Sequence, residues 1–111
     1  MISESKHILD ELYGIIDARK SASPESSYTA ALLSKGIDKI LKKVGEEATE
    51  VVIAGKGGDD SELVYEVADL QYHLMVLLAS RNVPAEAVWT ELERRFGTSG
   101  IKEKASRTAD S

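Results

Sequence analysis

Five carboxylates, Glu46, Glu47, Glu50, Glu66 and Asp69, fall into two clusters, EExxE and ExxD, with fifteen residues between them. Carboxylate oxygens gathered in one place are the donor set of hard divalent cations, Mg2+ or Mn2+, and several together can hold two ions. The chain contains no cysteine, so thiolate metal sites, thiol nucleophiles and disulfides are excluded together. Whether the five acids form such a site depends on the elements that carry them.

Successive residues of a helix are about 100° apart. With Glu46 at zero, Glu50 falls at about 40° and Glu47 at about 100°, while Lys39 and Lys43 fall at about 20° and 60°. The apolar residues Ile37, Val44, Ala48 and Val51 centre at about 140–200°, so the acids share one arc that borders the expected core face. Glu66 and Asp69 are i, i+3 neighbours on the next helix, with His73 one turn further. Gly55, Gly57 and Gly58 separate the two helices and make them an antiparallel hairpin. Counting outward from that turn pairs Glu50 with Glu66, Glu47 with Asp69, and Lys43 with His73. Two carboxylate levels about 5 Å apart then face each other. Without a counter-charge they would repel and raise each other's pKa, at a cost of several kcal/mol. Taken alone, Glu46, Glu47 and Glu50 fit an ordinary solvated helix face. The two motifs in matching register point instead to a divalent cation.

The positioning elements are all helical. Ile8, Leu9, Leu12, Tyr13, Ile15 and Ile16 form one stripe at i, i+3, i+4 spacing, and "KSASPESS" reads as a loop. "YTAALLSKG" predicts a short helix stopped by Gly36, and a long helix follows from about Ile37 to Lys56. Asp59 is placed to cap the next helix, with Glu62 completing a capping box, and that helix runs to about Ser80. Pro84 suits the first turn of a last helix that reaches Arg95. The expected fold is an all-α bundle of four to five helices with the acidic hairpin at its centre. Residues 1–96 form the domain, and residues 97–111 form a polar tail, either frayed or a flap over phosphates.

Composition narrows the function. At 111 residues the chain has room for one modest core. A net charge of −5 with scattered basic residues excludes a nucleic-acid-binding surface. The most apolar run, Leu63 to Ala79, contains Glu66, Asp69 and His73, which excludes a membrane span. The first twenty residues lack the pattern of a signal peptide, and a reducing cytoplasm is the expected compartment.

The spacing of EExxE and ExxD resembles the metal motif of the MazG-type all-α nucleoside triphosphate pyrophosphatase superfamily. "SYTAALLSKGIDKILKKVGEEATEVVIAGK", "ELVYEVADLQYHLMVLLA" and "GTSGIKEKASR" resemble, within it, the phosphoribosyl-ATP pyrophosphatase family of histidine biosynthesis. That resemblance implies hydrolysis of 1-(5-phosphoribosyl)-ATP to phosphoribosyl-AMP and pyrophosphate with Mg2+. It implies Glu47, Glu50, Glu66 and Asp69 as metal ligands, the same four that the register pairs. It also implies Glu46 as a helper that orients a ligand or deprotonates water, with Glu47 beside it in the catalytic machinery. Lys43 and Lys39, on the acid arc, then become candidates for holding phosphate oxygens, or else ion-pair partners of the glutamates.

Tyr28 is a candidate substrate contact or a packing residue. His73 is a candidate substrate contact or a buried histidine donating to a carboxylate. Trp89 reads as a packing anchor and His7 as a surface residue. A two-helix hairpin has little material to enclose so large a nucleotide, so a homodimer is expected to complete the site. The alternatives are a house-cleaning pyrophosphatase for noncanonical nucleotides and a non-catalytic helical dimerisation module.

Overall fold

A computed structural model describes residues 7–96. Five α-helices follow one another: α1 Ile8–Ala18, α2 Tyr28–Lys35, α3 Ile37–Gly57, α4 Asp60–Ser80 and α5 Ala85–Phe96. No strand occurs among the described residues, and the all-α expectation holds. The tail at 97–111 lies outside the described residues.

Local chemistry sets each boundary. His7 Nδ1 accepts from the Leu9 N–H and caps α1, and Ser27 accepts from the Ala30 N–H at 3.0 Å and caps α2. Gly36, with φ of 95°, is the single residue between α2 and α3, a conformation that a side chain would strain. Gly58 ends α3 in the left-handed region at φ 88°. Asp59 then accepts from the Ser61 and Glu62 N–H groups and the Ser61 hydroxyl, which starts α4 at once. The segment expected as a plain loop carries two 3-10 turns, Arg19–Ser21 and Pro24–Ser26. Pro24 stands at the start of the second with its φ already fixed, and the Ser26 hydroxyl donates to the Ser23 carbonyl at 2.6 Å.

The core gathers at one end of the long hairpin. Ile16 of α1, Leu32 of α2, Ile40 of α3, Met75, Val76 and Ala79 of α4, and Ala85 of α5 form one buried cluster. Two side-chain bonds lock its rim: Tyr13 OH donates to the Val83 carbonyl at 2.7 Å, and Trp89 Nε1 donates to Asp10 at 2.6 Å. Trp89 is therefore the packing anchor expected. Towards the turn, the α3–α4 hairpin extends past this cluster, and Ala54 is the buried apolar residue there.

The seam of α3 differs from the expected one. Its buried residues are Ile40, Glu47 and Ala54, a seven-residue spacing that faces α4. Ile37, assigned to the core arc, is exposed, and Val44, Ala48 and Val51 are only half-buried. The apolar arc of α3 is wider than one neighbouring helix can cover. The side turned to α4 runs through Glu47 itself.

Removing the side chain of Ile40, which has no solvent exposure, should cost about 2–5 kcal/mol. Asp59→Ala, which deletes the α4 cap, should cost about 1 kcal/mol. Urea denaturation followed by circular dichroism measures both.

Candidate metal centre

The central acid is Glu47, only 9% exposed and held in the α3–α4 seam by the packing of Ile40 and Ala54 on either side. Across the seam stands Asp69 of α4, its carboxyl within hydrogen-bonding reach of Glu47. Burial, and then Asp69 as both hydrogen-bond partner and negative neighbour, push the Glu47 carboxyl above its usual pKa. Lys43 pulls it partly back, with its ammonium 3.4 Å from Glu47 Oε2 and 3.4 Å from Glu46 Oε1. The lysine's own pKa is lowered by burial, but hydrogen bonds to Glu46 and Glu47 and the nearby Tyr28 carry it above the usual value.

Glu47, Asp69 and His73 bring ligand atoms within 4.8 Å of one another. Glu50 is exposed and Glu66 half-buried, both at the solvent side of this group. Burial raises the Glu66 carboxyl, and the charges of Glu50, Glu47, Asp69 and Glu62 raise it further. The pairings expected from the turn, Glu47 with Asp69 and Glu50 with Glu66, are thus felt in space as mutual repulsion. Lys39 is half-buried on the same helix, one turn before Lys43, and has no ion pair among the described residues.

His73 is 3% exposed, and both ring nitrogens are engaged, Nδ1 by the Asp69 carbonyl at 2.9 Å and Nε2 by Tyr28 OH at 3.1 Å. It closes the inner wall of the site. Tyr28, 55% exposed, forms part of the outer wall. The bond between them joins residues 45 apart in sequence, so no local pattern announces it.

A family model described as phosphoribosyl-ATP pyrophosphohydrolase matches residues 9–96. The chain belongs to that family. It is 73% identical over 106 residues to a phosphoribosyl-ATP pyrophosphatase of Trichlorobacter lovleyi, covering 96% of this chain and 98% of that protein. Proteins with the same name from Geobacter metallireducens and Pelobacter propionicus are 62% and 61% identical. Those matches cover 96% of this chain and 97% and 99% of the relatives.

In this member of the phosphoribosyl-ATP pyrophosphohydrolase family the donor set fits a divalent metal cofactor. A buried carboxylate faces a second one, two more lie at the rim, and one lysine offsets them. A cation of charge two is the partner that such a cluster favours.

The raised pKa of Glu47 fixes a sign. Its neutral form is favoured in the folded state, so its contribution to stability is complete below the unfolded value of about 4.5 and is lost as pH rises through the raised folded value. In EDTA, the stability of Glu47→Gln relative to the unsubstituted protein should therefore grow as pH rises from about 4.5 to 7. Added Mg2+ should raise the melting temperature of the unsubstituted protein and leave Glu47→Gln nearly unmoved. Thermal unfolding across pH, with and without Mg2+, tests both expectations.

Proposed function

We propose that this chain hydrolyses 1-(5-phosphoribosyl)-ATP to 1-(5-phosphoribosyl)-AMP and pyrophosphate, the second step of histidine biosynthesis, in the cytoplasm. The observation that carries the reading is buried Glu47 facing half-buried Asp69 across the hairpin, their ligand atoms within 4.8 Å, in a chain of this family. One water is consumed, and one P–O bond of the α–β anhydride breaks as pyrophosphate leaves.

Glu47, Glu50, Glu66 and Asp69 would hold Mg2+, with Mn2+ able to replace it, and such an ion would supply charge to neutralise the polyphosphate and to lower the pKa of water. Glu46, beside Glu47 and within 3.4 Å of Lys43, takes the proton from the attacking water. Lys43 and Lys39 hold phosphate oxygens as point charges, and Lys43 reorients from its carboxylate partners when phosphate arrives.

The functional unit is a homodimer. On α3, Ile37, Leu41 and Val52 lie within about 60° of one another, away from Glu46 and Glu50, and all three are exposed. On α4, Val64 and Tyr65 are 67% and 68% exposed near the turn, at the end of the hairpin where Val52 lies. So much apolar surface on so small a chain is what a second copy would cover.

With phosphoribosyl-ATP and Mg2+, pyrophosphate release should be rapid, abolished by EDTA, and much slower with a panel of noncanonical deoxynucleotides. Glu50→Gln or Asp69→Asn should lower kcat about 100-fold or more, the order found when one charge-stabilising group is lost. Full activity in those variants would overturn the metal assignment, and preference for the deoxynucleotides would assign a house-cleaning role. Light scattering should give twice the 12.1 kDa chain mass, and Val52→Asp or Tyr65→Asp should shift it towards a single chain.

A further inference from the structure

His73 lies in the wall of the ion site but is turned inward. The Asp69 carbonyl, 2.9 Å from Nδ1, has no proton to give, so Nδ1 carries the hydrogen of that bond. In the neutral ring Nε2 is then bare and accepts from Tyr28 OH at 3.1 Å. The Asp69 carbonyl takes that hydrogen bond, and the carboxylate of the same aspartate stands near, with Oδ1 3.4 Å from Nδ1. Neither nitrogen can take a metal without giving up a bond it already makes.

The ring is fixed on its other sides as well. Tyr72 packs edge-on against it at 4.9 Å between centroids, and Tyr28 does so at 6.0 Å. The Tyr72 hydroxyl bonds to Thr29 Oγ1. The first turn of α2 is therefore fastened to α4 by two neighbouring side-chain bonds, Tyr28 to His73 and Thr29 to Tyr72. Ser27 caps the same turn, which holds Tyr28 at the helix start.

We propose that His73 and Tyr28 are positioning residues for the ion site: His73, its Nδ1–H held by the Asp69 carbonyl, packs its ring 3.4 Å from the Asp69 carboxylate and limits where that carboxylate points, and the Tyr28 hydroxyl fixes the tautomer and rotation of His73. This rests on the reading of Asp69 as an ion ligand. Partners one step behind a ligand typically change metal affinity by about 10–100-fold when removed. Tyr28 acts here through its hydroxyl, and its exposed ring is not what the site requires of it.

The test is Mn2+ binding by electron paramagnetic resonance on the full-length protein, together with steady-state kinetics at saturating Mn2+. His73→Leu should weaken Mn2+ binding by about 10–100-fold and Tyr28→Phe by up to about 10-fold. His73→Asn, whose amide N–H sits close to the place of Nδ1–H, should bind within about threefold of the unsubstituted protein. KM for phosphoribosyl-ATP at saturating Mn2+ should hardly change in Tyr28→Phe.

Unchanged Mn2+ affinity in His73→Leu and Tyr28→Phe, with KM raised instead, would make both residues substrate contacts and overturn the proposal. So would a directly coordinated nitrogen in the spin-echo spectrum of the Mn2+ complex, which would make His73 a ligand. If His73→Leu does not fold, Tyr28→Phe and His73→Asn decide the matter. An unsubstituted protein that binds no Mn2+ overturns the ion-site reading itself, a result distinct from either of the others.

Discussion

The structure turns on a buried carboxylate that faces another carboxylate inside a helix–helix seam. Glu47 takes the middle position of the Ile40, Glu47, Ala54 repeat along α3, where packing alone would select an apolar residue. Such an arrangement survives only where other contacts hold the two helices in register. The core cluster does this at one end through Ile40, Met75, Val76 and Ala79, and Gly58 with the Asp59 cap does it at the other. The repelling pair lies between two clamps, so the hairpin cannot splay to separate its charges. Burial first, and then this repulsion, raises the pKa values of Glu47 and Glu66. Held in that way, the carboxylates do not have to be gathered when a cation binds, which lessens the entropy cost of forming the site.

The fold was legible because its signals are local. Gly36, Gly58, Asp59 and Pro84 are each fixed by backbone geometry or capping, and the helix boundaries follow them closely. The carboxylate pairing was legible for a related reason, since a tight turn between two uninterrupted helices leaves little freedom in register. The direction of the α3 seam was not. An apolar arc on a wheel shows which side is dry, not whether this chain or another copy dries it, and Ile37 shows the difference by remaining exposed. Nor was the Tyr28–His73 bond legible, because it depends on how α2 is laid across α4. The loop that sets this angle contains two short 3-10 turns whose combined direction no residue pattern encodes.

The same division explains why a small chain can carry a crowded site. One end of the molecule is built for stability, with a core drawn from all five helices and rim bonds from Tyr13 and Trp89. The other end, beyond Glu47, is little more than two helices, with Val52, Val64 and Tyr65 uncovered. Two isolated helices of that length have no apolar layer to rest on, and their stability has to come from packing against something further. A second copy set against the outer face of α3 and α4 would supply that layer and leave the acids open to a nucleotide. The charge distribution is consistent with this. Glu46 and Glu50 lie on the arc of α3 away from Ile37, Leu41 and Val52, while Ile53, also exposed, falls on the acid side. Joining two copies there would also stiffen the hairpin at its weaker end and hold Glu50 and Glu66 to the register that the turn sets.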